Sequence, residues 1–107
     1  MVVITLPQAV DEFVSAINAH DADALFAVFA PGAVVVDDGT TFANEEQLRG
    51  FIGNQIVAPK IVLTPISYEG DRLVASGDGD FPGGPLTFAF MFATKDNLIP
   101  RLSIEPV

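Results

Sequence analysis

The stretch Ala33-Val34-Val35-Val36-Asp37-Asp38-Gly39 joins an apolar strand to a polar turn and sets the frame for the rest of the chain. Asp37 stands at the end of that strand. If the strand lines a pocket, its carboxylate faces an apolar cavity, where burial raises its pKa and suits it to act as a base. Without a cavity, Asp37-Asp38-Gly39 simply opens a turn. Asp38 is expected to face solvent in either case.

Upstream, Val10, Phe13, Val14 and Ile17 recur at helical spacing. They predict a helix from Pro7 to about Ala19, with Asp11 and Glu12 near the positive end of its dipole. His20-Asp21 breaks it. Asp21 then caps a second helix carrying Leu25, Phe26, Val28 and Phe29, which is expected to end before Pro31-Gly32. Together the two form a helical hairpin. Downstream of the turn, Asn44 and Gln47 have capping-box spacing, and Leu48, Phe51 and Ile52 give a short third helix its apolar face.

The remainder reads as strands: Ile61 to Tyr68, Arg72 to Phe81, Leu86 to Thr94 and Leu98 to Ile104. They are separated by Glu69-Gly70-Asp71, Pro82-Gly83-Gly84-Pro85 and Lys95-Asp96-Asn97, all turn chemistry, which predicts an antiparallel meander. Period-two alternation puts Phe88, Phe90 and Phe92 on one face, packed on the helices, and Thr87, Ala89, Met91 and Ala93 on the other. The last strand divides likewise, with Leu98, Pro100, Leu102 and Ile104 on one side and Ile99, Arg101, Ser103 and Glu105 on the other. Both faces being largely apolar, the outer one is expected to meet a second copy of the chain as a homodimer.

With 107 residues and half of them hydrophobic, the chain is expected to be one domain, residues 1–107, sharing apolar surface with a partner or ligand. A net charge of −9 and only five basic residues argue against nucleic acid and acidic membrane surfaces as partners. Met1 to Pro7 is not expected to act as a signal peptide, being without basic residues and short of apolar length, and no apolar run is long enough to span a bilayer. Zero cysteines fit a reducing compartment, so a cytoplasmic location is expected. No cofactor is expected, and without cysteine or paired histidines neither is a metal site.

The order of elements, together with Ala16-Ile17-Asn18-Ala19-His20-Asp21-Ala22-Asp23-Ala24-Leu25 and Phe29-Ala30-Pro31-Gly32 running into the strand, resembles the nuclear transport factor 2-like superfamily, in particular its small bacterial SnoaL-like and ketosteroid isomerase-like members. Gly79-Asp80-Phe81-Pro82-Gly83-Gly84-Pro85 and Leu98 to Ile104 extend the likeness across the chain. The resemblance implies an α+β, cystatin-like cone, with the helical hairpin and short third helix packed in a strongly curved antiparallel sheet and a pocket at the open end. The superfamily includes isomerases, cyclases, dehydratases, epoxide hydrolases and members without chemistry, so the residues must decide function.

By resemblance, the proton-shuttling Asp of ketosteroid isomerases falls on Asp37, whereas its two oxyanion donors fall on Phe13 and Phe88. Phe cannot donate that hydrogen bond, so steroid isomerisation by the familiar route is expected to be crippled. Two readings follow. One is a domain that binds a small apolar ligand, its pocket lined by Phe13, Ile17, Phe29, Val36, Phe42, Phe51, Phe88, Phe90 and Arg101. The other is an isomerase-, cyclase- or dehydratase-type enzyme using Asp37 as general base on a small ketone-like or polyketide-like substrate. Arg101 is read as either an ion pair with Glu105 or a clamp on Asp37 or an acidic ligand. For an epoxide hydrolase group of Asp, Arg and Asp with Tyr and Asn, Asp37 and Arg101 are available but the other members cannot be assigned, and nothing places Tyr68, the single tyrosine, in the pocket. His20, Arg49, Asp78 and Asp80 are expected at exposed positions, with Gly77 and Gly79 bending the sheet.

Overall fold

A computed structural model describes residues 4–107; Met1, Val2 and Val3, part of the stretch read for a leader, lie outside the described residues. Helix α1 spans Gln8–Asn18 and buries Val10, Phe13, Val14 and Ile17, the stripe its spacing predicts. After His20, at φ 54°, the chain turns into α2, Ala22–Ala27, where the Asp21 carboxylate accepts from the Ala24 N–H at 3.0 Å. Helix α3, Glu45–Phe51, starts the same way on Asn44, whose Oδ1 accepts from the Gln47 N–H at 2.8 Å. It continues into a π-helical segment, Ile52–Val57, closed by Ala58 N–H donating to the Gly53 carbonyl at 2.9 Å.

Six strands form one sheet in the order β2-β1-β6-β5-β4-β3. They are β1 (Phe29–Asp37), β2 (Thr40–Phe42), β3 (Val62–Glu69), β4 (Arg72–Asp78), β5 (Leu86–Lys95) and β6 (Leu98–Pro106). The meander β3 to β6 is antiparallel, as its turns predict, but β1 lies parallel to β6, so the sheet is mixed. The cause is connectivity. The α3 and π-helical segments carry the chain from β2 to the far edge, and a parallel neighbour needs such a crossover. The sheet curls around the helices without closing.

Phe29 is a correction to the sequence reading, because it begins β1 instead of ending α2. Pairing wins over helical spacing here: Phe29 lies opposite Ile99, and Ile99 N–H donates to the Val28 carbonyl at 2.9 Å. Pro31 and Gly32, the latter at φ 74°, are absorbed by a shift of register between Phe29 and Val34 instead of marking a helix end. A second shift, between Ala93 and Lys95, sends Ile99 into the core beside Leu102 and Ile104 and not to the outer face with Arg101.

The core fills the narrow end of the cone. Phe13, 1% exposed, is its centre, with edge-on contacts to Phe29, Phe90 and Phe92 at ring-centroid distances of 6.2, 5.8 and 5.2 Å. Edge strand β3 is tied to α1 by Asn18, whose Nδ2 donates to the Leu63 carbonyl at 3.0 Å and whose Oδ1 accepts from the Leu63 N–H at 2.7 Å. His20 is half-buried, not an exposed hairpin residue, with Nε2 2.9 Å from the Ile61 carbonyl, which requires a proton on that nitrogen.

Candidate functional site

The inward positions of the sheet and the α3 and π-helical segments enclose a cavity of about 430 Å³ at the open end of the cone. Ile17, Phe51, Leu63 and Phe90, all buried, form its inner wall, and Phe88 and Ile104 continue the sheet side. Ile56, Pro59 and Ile61 bound it where the π-helical segment leads into β3, while Phe81 and Leu86 flank it at the β4–β5 connection. Of the fourteen lining residues only Asp37, Asn54 and Gln55 are polar, and none is cationic.

Asp37 enters this wall by register. Along β1, Val35 pairs with Leu102 and Asp37 with Ile104, both on the inward face, whereas Val34 and Val36 pair with Arg101 and Ser103 on the outside. Asp38, at φ 47°, turns the chain away and donates its N–H to the Ile104 carbonyl at 2.9 Å, holding the strand end against β6. Burial raises the Asp37 pKa above the ordinary 3.8, and the neighbouring Asp38 charge adds to the rise. On β4, Gly77 admits the Phe88 ring: a Cβ there would lie 3.1 Å from its Cε2. Close packing, not left-handed backbone, is what this glycine serves.

Of the side chains nominated for the pocket, Ile17, Asp37, Phe51, Phe88 and Phe90 line this cavity. Phe13 does not, being consumed by the aromatic core. Phe29 packs in that core and lines a separate crevice with Phe26 and Pro31 at the other end of β1. Phe42 rests against Phe51 at 5.0 Å in a shallow groove beside the cavity. Val36 and Arg101 lie on the outer face because their register positions alternate with Val35 and Leu102. Arg101 makes no ion pair among the described residues, neither with Glu105 nor with Asp37.

Arg49 is half-exposed but engaged, its guanidinium 4.0 Å from the Phe26 ring centroid and 3.5 Å from both Asp23 and Glu45. Tyr68 donates to Asp71 at 3.2 Å, away from the cavity. Asp78 and Asp80 border an outer groove with Lys60. No group of three His, Cys, Asp or Glu residues suited to a metal occurs among the described residues. Neither is any described helix long and apolar enough to cross a membrane.

Asn54 and Gln55 escape the sequence reading. The sequence reading stops the third helix at Ile52 although Ile56 follows at helical spacing, and nothing in Gly53-Asn54-Gln55 signals that the continuation is an i to i+5 turn past the cavity.

Several solved structures share this fold. A candidate polyketide cyclase from Sinorhizobium meliloti is 34% identical, with a TM-score of 0.82 over 94% of this chain and 95% of that one. A ketosteroid isomerase-like protein from Catenulispora acidiphila, solved in complex with trimethylamine, has 21% identity and a TM-score of 0.71 over 94% of this chain and 86% of its own. Rv0760c of Mycobacterium tuberculosis, solved with estradiol-17beta-hemisuccinate, has 19% identity and a TM-score of 0.73 over 90% and 88%. The last two bear on fold alone. No curated protein sequence matches the chain. The SnoaL-like domain family matches residues 10–100, and with the ketosteroid isomerase-like cone already described, the chain belongs to the SnoaL-like branch of the nuclear transport factor 2-like superfamily.

Proposed function

We propose that this SnoaL-like domain binds a small apolar ligand in the cavity at the open end of the cone, with Asp37 as a polar contact. One observation carries the reading: a carboxylate in the wall of a 430 Å³ space whose other lining residues are apolar but for two carboxamides. Ligand sites of drug-sized molecules have about 300–1,000 Å³ and this balance of many apolar and few polar groups. Rv0760c and the Catenulispora protein, alike in fold, were each solved with a small molecule. Phe13 and Phe88 offer no donor at the positions where the resemblance puts the oxyanion donors, which supports binding over steroid isomerisation by that route.

The enzymatic reading keeps Asp37 as general base on a small ketone-like or polyketide-like substrate. Its raised pKa favours it, as does the 34% identity to the candidate cyclase. The base would take a proton from the carbon beside a carbonyl, and solvent would return one. Incubating a cyclic ketone with the protein in D2O tests this. Catalysed deuterium incorporation that Asp37→Asn abolishes, with ligand binding retained, supports the enzyme; incorporation no faster than in buffer sinks it. Titration with naphthalene, followed by the methyl resonances of Ile17, Leu63 and Ile104, tests the binding reading, which fails without saturable shifts.

We also infer a homodimer through the outer sheet face, where Val62 and Met91 are 43% and 40% exposed. The absence of cysteine supports a cytoplasmic setting for this single domain.

A further inference from the structure

The geometry points to Asn54 and Gln55 as specificity-determining residues that hold an uncharged, oxygen-bearing end of the ligand at the cavity mouth. This rests on the ligand-binding reading above and adds to it the chemistry of the ligand's polar end. The cavity is graded. Its inner wall of Ile17, Leu63 and Phe90 is buried and apolar, whereas Asn54 and Gln55 are exposed side chains that nonetheless line the same space. An occupant is therefore expected to place its apolar body inward and a polar group outward.

The wall's functional groups say which polar group. Each carboxamide offers two N–H donors and one carbonyl acceptor. Neither side chain has a hydrogen-bond partner among the described residues, so both are free to serve a ligand. A carboxylate or phosphate on the ligand would face Asp37 across a wall without a cation, on a chain of net charge −9. With no cation in the wall to offset repulsion from Asp37 and from the chain's net negative charge, an anion is disfavoured there even where it keeps part of its hydration. A ketone, ester or amide oxygen has no such penalty and accepts from the carboxamides directly.

The π-helical turn accounts for the placement. Its i to i+5 bonding, seen in Ala58 N–H to Gly53 carbonyl, widens the helix where Asn54 and Gln55 pass the opening, while Ile52 and Ile56 stay buried. Such turns carry a stability cost and recur at functional sites.

The test compares three ligands of similar size: naphthalene, acetylnaphthalene and naphthoate. Their affinities are measured for the wild type and for a double variant, Asn54→Leu with Gln55→Met, which keeps bulk and removes the donors. Both positions are exposed, and the melting curve of the variant checks its fold. The wild type is expected to bind the ketone roughly three- to tenfold more tightly than naphthalene, the yield of one net hydrogen bond, and to bind naphthoate least. In the double variant the ketone preference is expected to vanish, so that acetylnaphthalene and naphthalene bind equally.

In the wild type, acetylnaphthalene should also shift the side-chain NH2 resonances of Asn54 and Gln55, a readout independent of the variant. Equal binding of ketone and naphthalene by the wild type overturns the inference and leaves the binding cavity standing. A ketone preference that survives the double variant, equal loss of both ligands, or tightest binding of naphthoate overturns it likewise. If none of the three ligands binds saturably, the ligand-binding reading fails and takes this inference with it.

Discussion

Asp37 lies directly across the parallel β1–β6 ladder from Ile104, and both side chains line the cavity. Two positions earlier, Val35 faces Leu102 and both are fully buried. The same inward row of β1 thus passes from core to cavity between Val35 and Asp37. A carboxylate is tolerable at the second position because the cone opens there.

The pH dependence of stability follows from that position. Burial and Asp38 raise the Asp37 pKa in the folded state above its unfolded value. The folded protein then binds this proton more tightly, so the contribution is favourable below the unfolded pKa and is lost as pH rises through the folded one. Asp37→Asn is expected to raise the melting temperature at pH about 7, with the advantage vanishing near pH 3, since only the wild type carries a titrating group at this position. Thermal melts of both proteins across that range check the sign. A variant that melts lower at neutral pH contradicts it.

Phe13 is among the largest fully buried side chains and packs against three other rings. Phe13→Ala is expected to cost about 3–5 kcal/mol in a urea titration, a large share of the roughly 5–15 kcal/mol that holds a domain together. A loss below 1 kcal/mol would mean that this end of the cone is loosely filled.

Asn18 occupies the free edge of β3 as a strand would, donating to and accepting from Leu63. Asn18→Ala leaves a backbone N–H and carbonyl without those partners and is expected to cost about 1–3 kcal/mol. Amide hydrogen exchange at Leu63 should accelerate in the variant more than at Leu73, which the sheet holds from both sides. Unchanged exchange at Leu63 would show that the clamp adds nothing.

Gly79 is required by close approach. A Cβ there would meet the Pro59 carbonyl oxygen at 2.6 Å and Ile61 Cδ1 at 2.9 Å, and Asp80 N–H donates to that same carbonyl at 2.6 Å. Gly79→Ala is expected to destabilise by about 1–3 kcal/mol through overpacking. It should also weaken naphthalene binding, since Pro59 and Ile61 line the cavity. A stable variant with unaltered binding would mean that the segment yields freely.

For the outer face, wild-type protein at micromolar concentration is expected to sediment as a dimer, and Met91→Glu as a monomer. Met91 is exposed between Arg72 and Ser103 on the neighbouring strands, so a charge there costs nothing unless a second sheet covers it. A monomeric wild type removes the dimer.

Local chemistry determined much of this protein from the sequence. Helical spacing places Val10, Phe13, Val14 and Ile17 on one face of α1, Asp21 and Asn44 accept the hydrogen bonds that cap α2 and α3, and the turn residues delimit the antiparallel meander. Such signals span a few residues and depend on little else. Only tertiary structure decided that Phe29 opens a strand, that β1 runs parallel to β6, and that Ile99 turns inward, because each depends on pairing between segments distant in the chain. The site divides the same way. Alternation along β1 is local and, applied to Val36, would have set it on the face opposite Asp37 instead of in the pocket, but whether Phe13 fills the core or faces the cavity depends on which rings arrive from β1 and β5. Asn54 and Gln55 became visible only in the folded chain, because the spacing of Leu48, Ile52 and Ile56 announces a helix but not the i to i+5 turn that carries these two residues to the opening.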